Sequence, residues 1–443
     1  MKRNALFRRA ALAALVPVLC AAARAQESGA PKVEVGAQYS SLSITLPGRF
    51  STGTDNAAGV GARVTFNVTD YLALEAEGNF YPTRTVLTFA SGGRAEQLQA
   101  GVKVGKRMER WGLFAKARPG FVSFDETLRP VAVELVDSGG MTFPILRFER
   151  ERKTHFSVDV GGVLEFYPSR SMVVRFDAGD TIIRYGRHDV PLPFILEPGA
   201  PFQPVGQEEA QVKHNFQFTA GVAYRFGGDD GEELEAPSEP GRDRVRRFEV
   251  GAQFSSLLLN LPDSDSIFFG SFGPDTEPEV GFGGRLTFNL SDSVAVEAEG
   301  NLYTRESFPA TSVGGFPAQL QAGVKAGRRW ERWGLFAKAR PGLVSFSRVR
   351  QLVSTQQFTF EGREFTLGTF EDRRKNYFSM DVGAVVEFYH SRRFFSRFDA
   401  GDTIIHYGER AQEIFLGPQA NFFQVPSETK HNFQFTAGVG FRF

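Results

Sequence analysis

The chain has 443 residues, with 51 acidic and 51 basic side chains and a formal net charge of zero. This balance points neither to a nucleic-acid partner nor to a strongly acidic one. The unusual feature is 45 Phe and 47 Gly in a chain whose mean hydropathy is −0.23. So much Phe in a polar chain indicates that the Phe residues alternate with polar ones.

The N-terminus, MKRNALFRRAALAALVPVLCAAARAQ, places basic residues before an apolar run. This pattern predicts a secretory signal peptide over residues 1–25, cleaved before Gln26. Cys20 is the only cysteine, so the mature chain would contain no disulfide and no thiol. No other segment has the roughly 18 consecutive apolar residues that a membrane helix needs.

The rest of the chain is an internal duplication. VEVGAQYSSL at residue 33 returns as FEVGAQFSSL at 248, and KHNFQFTAGVAYRF at 213 returns as KHNFQFTAGVGFRF at 430. We expect a first domain over 33–226 and a second over 248–443. Residues 227–247 between them are polar without an apolar face, which predicts a linker.

Each copy contains eight runs in which apolar and polar residues alternate, the period of a β-strand. In the first copy these runs cover 33–44, 58–68, 72–83, 96–107, 111–124, 155–168, 172–186 and 214–226. Short turns alternate with long connections, which is typical of an up-and-down meander. The fifth connection alternates on both sides of 137–140, and 358–368 repeats this, so strands five and six should extend as a ribbon.

One face of these runs is apolar and rich in Phe, and the other carries both acids and bases. A soluble barrel would have its apolar face inside, but the aromatic rows extend over the about 9 to 11 residues that a tilted membrane strand needs. We therefore expect an inverted barrel with an ionic interior. Eight strands close a barrel about wide enough to be filled by side chains, and opposite charges would pair there because an isolated buried charge costs several kcal/mol.

The predicted interior charges share the inward parity of their strands. In the first copy they are Arg63, Glu75, Glu77, Lys103, Lys116, Arg118, Asp159, Glu165, Arg175, Asp177 and Arg225. In the second copy they are Arg285, Glu297, Glu299, Lys325, Lys338, Arg340, Asp381, Glu387, Arg397, Asp399 and Arg442.

Tryptophan and tyrosine favour the membrane boundary, and the three tryptophans, Trp111, Trp330 and Trp333, lie at the short turns before strand five. Tyrosines near both strand ends predict two interfacial girdles: Tyr71, Tyr167 and Tyr389 at one, and Tyr81, Tyr185, Tyr303 and Tyr407 at the other. Pro119 and Pro341 fall within strand five, where a closed barrel has no edge. We expect a bulge there, or a position near the loop-side rim.

These features resemble the small outer-membrane β-barrels of Gram-negative bacteria, like the OmpA-type transmembrane domain, in two tandem copies. The resemblance rests on the signal peptide, the eight-run meander and the terminal FTAGVGFRF. It implies an outer-membrane location and a last strand read by the outer-membrane assembly machinery, with Phe435, Val439, Phe441 and Phe443 as the signal. The other implied partners are outer-membrane lipids and, through the long loops, an unknown extracellular ligand.

The favoured interpretation is therefore an all-β, non-enzymatic protein of two eight-stranded antiparallel transmembrane barrels with a structural or surface-interaction role. The chain ends and the linker would lie in the periplasm and the long loops outside the cell. One alternative is a single sixteen-stranded, porin-like channel for small solutes. Another is a lipid-modifying enzyme that uses His214 or His431, but parity turns both outward and no persuasive Ser and acid recur beside them. We expect no catalytic, cofactor or metal site.

Overall fold

The computed structural model describes residues 32–48, 53–138, 141–190, 206–227, 247–262, 276–307, 310, 312–360, 363–416 and 419–443. The predicted signal peptide and residues 228–246 of the predicted linker lie outside these ranges. Every named element within them is a β-strand. Over the same residues, no helix has the length and apolar character needed to cross a membrane.

The first copy forms one closed antiparallel barrel. Its strands are β1 (Val33–Thr45), β2 (Thr54–Asn67), β3 (Leu72–Thr85), β4 (Gly93–Arg107), β5 (Trp111–Ser138), β6 (Met141–Ser169), β7 (Met172–Tyr185), β8 (His188–Val190), β9 (Gly206–Glu208), β10 (Gln211–Lys213) and β11 (Phe216–Phe226). The barrel order is β7-β11-β1-β2-β3-β4-β5-β6, and β6 pairs back to β7. The short β8 and β9 pair with each other. β10 pairs with the end of β7, next to the segment of β7 that pairs with β11.

The second copy forms its own closed barrel. Its strands are β12 (Phe248–Asn260), β13 (Thr276–Asn289), β14 (Val294–Tyr303), β15 (Pro317–Arg329), β16 (Trp333–Phe360), β17 (Arg363–Tyr389), β18 (Phe394–Tyr407), β19 (Arg410–Leu416), β20 (Gln419–Val425) and β21 (Glu428–Arg442). The closed order is β12-β13-β14-β15-β16-β17-β18-β21, and β19 and β20 form a separate hairpin.

The last barrel strand of each copy pairs with the first strand of the same copy. β1 pairs with β11 from Val33 opposite Phe226, and β12 pairs with β21 from Glu249 opposite Arg442. Closure within each copy confirms the prediction of two eight-stranded barrels. The alternative of one sixteen-stranded barrel is wrong, because that barrel would need pairing between the strands of different copies at both seams.

Strands five and six of each copy continue beyond the barrel as a two-stranded ribbon, as predicted. β5 and β6 stay paired as far as Ser138 opposite Met141, and β16 and β17 as far as Phe360 opposite Arg363. Their tips, 139–140 and 361–362, lie outside the described residues. The register of the first ribbon shifts after Phe124 and again after Pro130, and such irregularities increase local twist where the ribbon leaves the barrel.

The expected bulge at the strand-five prolines is not present. The register between β4 and β5 is the same on both sides of Pro119, with Gln99 opposite Gly120 and Val102 opposite Ala117, and only the pairs between them are missing. Pro119 lies mid-strand on the outward face. The strands approach closely there, because a Cβ added to Gly101 would lie 2.1 Å from the carbonyl oxygen of Ala117. On this register Ala100 lies opposite Pro119 and Gly101 opposite Arg118, so the ladder is interrupted where Pro119 lacks an N–H. The ladder beside Pro341 has the same gap.

Candidate functional site in the barrel interiors

Alternation along each strand separates an ionic interior from an apolar exterior. Lys103, for example, is fully buried between Val102 and Val104, whose side chains are 38% and 50% exposed. Of the twenty-two charges predicted to face the interior, twenty-one are less than a tenth exposed. The exception, Arg442, has a side chain 13% exposed and lies at the end of its strand.

The charged cluster of the first barrel is defined by Glu75, Glu77, Lys103, Lys116, Arg118, Asp159, Glu165, Arg175 and Asp177. Arg175 lies between two acids: its Nε donates to Asp177 Oδ1 at 2.6 Å, and its Nη2 donates to Glu75 Oε2 at 3.0 Å. Such charge-assisted, two-pronged hydrogen bonds are the strong ones. They fix the guanidinium plane across the interior, from β7 to β3.

A second arginine, Arg118, links three strands. Its Nε and Nη2 donate to Asp159 Oδ2 at 2.9 and 2.6 Å, and its Nη1 donates to Glu77 Oε2 at 2.6 Å. The two lysines complete the cluster. Lys103 Nζ lies 2.5 Å from Glu165 Oε1, and Lys116 Nζ lies 3.0 Å from Asp159 Oδ2. Each of these four cations therefore has a carboxylate within ion-pair distance.

The second barrel repeats this arrangement in its own charged cluster of Glu297, Glu299, Lys325, Lys338, Arg340, Asp381, Glu387, Arg397 and Asp399. Arg397 donates to Asp399 Oδ1 and Glu297 Oε1, both at 2.5 Å. Arg340 donates to Asp381 and Glu299, and Lys325 to Glu387. The duplicated sequence thus gives the same pairing geometry twice.

Two of the predicted interior charges bond to an amide rather than to a carboxylate. Two further buried acids were not among the predicted interior residues. Arg63 donates to the amide oxygen of Gln38 at 2.8 Å, and Arg285 to that of Gln253 at 3.0 Å. The structure adds Glu34, 1% exposed, which accepts from Arg225 at 3.0 Å. Its counterpart Glu249 accepts from Arg442 at 2.8 Å. Glu34 could have been found from its parity, because it alternates with the outward Val35.

Next to the charged cluster, towards the long connections, lies a layer of amides and hydroxyls. In the first barrel Asn79 and Tyr81 donate to Gln97 Oε1 at 2.9 and 3.0 Å, and Gln97 is bonded to Gln217 across the interior. The second barrel repeats the layer with Asn301, Tyr303, Gln319 and Gln434.

The long-connection end of each barrel is filled by an apolar plug. The first plug consists of Leu42, Ile44, Ala57, Tyr81, Ala90, Ala95, Val122, Phe124, Ile183 and Tyr185, each at most 1% exposed. The second consists of Leu257, Leu259, Leu261, Tyr303, Ala310, Val313, Val344, Phe346, Val349, Tyr377, Ile405 and Tyr407. Ala90, Ala310 and Val313 come from the connections after β3 and β14, so the chain folds back over the barrel mouth.

The three tryptophans lie on the outward face at the short-turn end, and Trp111, Trp330 and Trp333 are between 37% and 42% exposed. The prediction of tyrosine girdles is largely wrong, because only Tyr71 is exposed. The other six are buried in the interior: Tyr81, Tyr167, Tyr185, Tyr303, Tyr389 and Tyr407. They share the parity of the interior charges. The hydroxyl of Tyr167, for example, donates to Glu165 at 2.9 Å.

The residues of the implied assembly signal divide into two groups. Phe441 and Phe443 are exposed on the outward face, whereas Phe435 stacks on Tyr39 of the first barrel and Val439 packs against the apolar cluster that both barrels share.

Both candidate histidines are exposed. His214 contacts Asp180 at 2.5 Å, and His431 contacts Asp402 at 2.6 Å. In the part of the chain that the structure describes, no group of three or more His, Cys, Asp or Glu side chains is arranged to hold a metal ion.

Residues 11–226 match the family described as outer membrane protein beta-barrel domain. A comparison with curated proteins finds no match. Among solved structures, the N-terminal β-barrel domain of Pseudomonas aeruginosa OprF is 13% identical, with a TM-score of 0.24, and the match covers 44% of this chain and 98% of that one. Neisserial surface protein A is 14% identical, with a TM-score of 0.25 and coverage of 44% and 97%. The family match over the first copy, the internal duplication and the closed eight-stranded barrel of each copy together identify the chain as two tandem β-barrels of the outer-membrane type.

Proposed function

We propose that this outer-membrane protein is a non-conducting, non-enzymatic scaffold that displays two β-ribbons at the cell surface. The observation that carries the proposal is the apolar plug at the long-connection end of each barrel. A solute entering the first barrel would have to displace Phe124 and Tyr185. It would next meet the amide layer, and then Arg118 and Arg175, which are already bonded to carboxylates.

The charged cluster supports the same conclusion. An aqueous pore keeps its charges hydrated, whereas these side chains are buried and bonded to one another. An eight-stranded barrel has an interior about wide enough for side chains to fill. A narrow passage would separate these ion pairs without giving each ion full hydration, at a cost of several kcal/mol for each ion. We therefore assign the interior to stability rather than to transport.

Planar-bilayer recordings test this proposal. The purified full-length protein should give no conductance steps above the lipid background, while a sixteen-stranded porin reconstituted in the same way provides the positive control. Incorporation is verified by the heat-modifiable mobility of the protein recovered from the bilayer lipid. Reproducible single-channel steps from the folded protein would overturn the assignment of a sealed scaffold.

The ribbons offer the surface available for recognition. Their described flanks carry exposed ion pairs, such as Arg129 with Glu149 at 2.7 Å and Arg348 with Asp372 at 3.2 Å. The hydrogen bond and the negative charge of Glu149 raise the pKa of Arg129 above its ordinary value. Exposed pairs contribute little to stability. We infer that these charges keep the ribbons soluble outside the membrane and available to a ligand, since binding residues are concentrated on such loops.

Cysteine labelling tests the direction of the ribbons. The mature chain would contain no native thiol, so Arg129→Cys and Arg348→Cys each introduce a single site. Both should react with a membrane-impermeant maleimide on intact cells. The matched controls are Asp70→Cys and Asp292→Cys at short turns, which should react only after the cells are broken. The reverse pattern would place the ribbons in the periplasm and contradict the proposal.

The two ends of the chain have proposed roles in export and assembly. We propose that residues 1–25 are removed on export, and that the assembly machinery reads the last strand through Phe441 and Phe443, which remain exposed to lipid. Phe435 would be available to that machinery only before the barrels pack together. The outward rows, with the tryptophans at the short-turn boundary, would contact outer-membrane lipids.

A further inference from the structure

The outward aromatic residues are not all exposed. On the first barrel Phe176 and Phe218 are 9% and 8% exposed, whereas Phe121 and Phe156 are 45% and 47% exposed. The buried ones lie against the second barrel, where Phe254 is 3% exposed. We name this contact the inter-barrel face and define it by Tyr39, Phe166, Phe176, Phe218, Phe254, Phe388, Phe398 and Phe435.

The contacts across this face are reciprocal. The repeat aligns Tyr39 with Phe254 and Phe218 with Phe435. The ring of Tyr39 stacks on Phe435 at 4.2 Å, and that of Phe218 stacks on Phe254 at 4.0 Å. Each stacked pair therefore joins the same two repeat positions, but with the two copies exchanged. This reciprocal pattern defines a two-fold interface.

A third contact lies where the two-fold axis should pass. FDAGDTII occurs in both copies, so Phe176 and Phe398 are equivalent positions. Their rings stack on each other at 5.7 Å with an interplanar angle of 2°. A residue that contacts its own equivalent must lie close to the axis. The two barrels therefore pack as the two subunits of a homodimer would.

Polar contacts accompany the aromatic ones. The hydroxyl of Tyr39 donates to Ser256 Oγ at 2.7 Å. At the long-connection rim, the two-fold arrangement brings together the equivalent acids Asp55 and Glu277. Arg305 lies between them, 3.6 Å from Asp55 and 3.5 Å from Glu277. One cation thus offsets the repulsion between acids that the symmetry brings near each other.

We propose that the two barrels associate laterally in the membrane through the inter-barrel face, and that the face fits a second barrel of the same repeat. Apolar area alone would not favour association, because lipid tails are as apolar as the side chains. Ring stacking and the hydrogen bond from Tyr39 provide interactions that lipid cannot replace. The linker then raises the effective concentration of one barrel near the other during assembly, and the face holds them afterwards.

The test uses the full chain with a protease site inserted between residues 228 and 246. After assembly, purification in mild detergent and cleavage, the two folded halves should elute together. Phe218→Ala with Phe254→Ala removes one stacked pair, and we expect roughly tenfold less of the paired species. Phe156→Ala with Phe378→Ala is the matched control, because both rings are exposed outward. It should leave the pairing unchanged. Heat-modifiable mobility of each half confirms that the variants are folded.

Cross-linking in cleaved native membranes gives a readout independent of detergent. Phe176→Cys with Phe398→Cys should be joined by a short bis-maleimide into a species of full-length mobility on a denaturing gel. Phe156→Cys with Phe378→Cys should not. Arg305→Gln should reduce the paired species in detergent, because it leaves Asp55 and Glu277 facing each other. Equal cross-linking at the two cysteine pairs would overturn the proposal, whereas cross-linking confined to the first pair supports it even if detergent separates the halves.

Discussion

Replacing Arg175 by Leu should destabilise the first barrel by about 3 to 5 kcal/mol. The substitution removes the cation that both Glu75 and Asp177 contact and leaves two buried carboxylates without this partner. Apolar groups can substitute for a complete ion pair, but a carboxylate without its cation keeps its full desolvation penalty. The triple variant with Glu75→Leu and Asp177→Leu should therefore recover much of the loss.

Tryptophan fluorescence during urea unfolding in lipid vesicles measures this effect. Trp111 is the only tryptophan of the first barrel, so Trp330→Phe with Trp333→Phe gives a chain whose emission reports that barrel alone. Arg129→Leu, on the exposed ribbon, is the control and should leave the midpoint unchanged because exposed ion pairs contribute little. A midpoint for Arg175→Leu equal to that of the control would show that the charged cluster is not structural.

Val102→Arg should cost about 2 to 4 kcal/mol, because it turns a charge towards the hydrocarbon near the middle of β4. Leu113→Arg is the depth control. Leu113 is also outward, 55% exposed, but it lies two residues from Trp111 at the short-turn boundary. There the cost should fall to about 0 to 1 kcal/mol.

The same vesicle unfolding assay compares the two arginine variants. Yield in the outer membrane, measured by heat-modifiable mobility, gives a second readout in cells. Equal destabilisation by the two variants would contradict the assignment of the outward face to lipid. It would instead indicate that both positions lie outside the hydrocarbon or that both face a water-filled space.

The strand number and the closure of each barrel could be predicted from the sequence. Alternation is visible within each strand, and the duplication shows the same eight strands twice. Parity alone also determines the direction of each side chain. The predicted tyrosine girdles are wrong because the general preference of tyrosine for the membrane boundary does not determine which way a side chain points, whereas parity does. Tyr81 shares the parity of Glu77 and Asn79, and that pattern alone would have turned it inward.

Other features could not be read from single strands. Parity assigns Arg63 to the interior but does not say that its partner is Gln38, since the partner depends on the stagger of strands around the barrel. The apolar plug includes Ala90 from a connection, which has no strand period. The inter-barrel face has the same apolar alternation as the lipid-facing rows, so the burial of Phe218 becomes visible only when both barrels are in place.

The pair of Glu34 and Arg225 joins the first and last strands of one barrel, and Glu249 and Arg442 do the same in the other. Until the seam closes, the ion pair across it is absent, and the adjoining strand edges have unpaired peptide groups that hydrocarbon cannot solvate. The free energy of a partly closed barrel is therefore raised both by the missing ion pair and by the unpaired peptide groups. Insertion and final strand docking should consequently occur as one concerted event for each barrel, with few open forms at equilibrium.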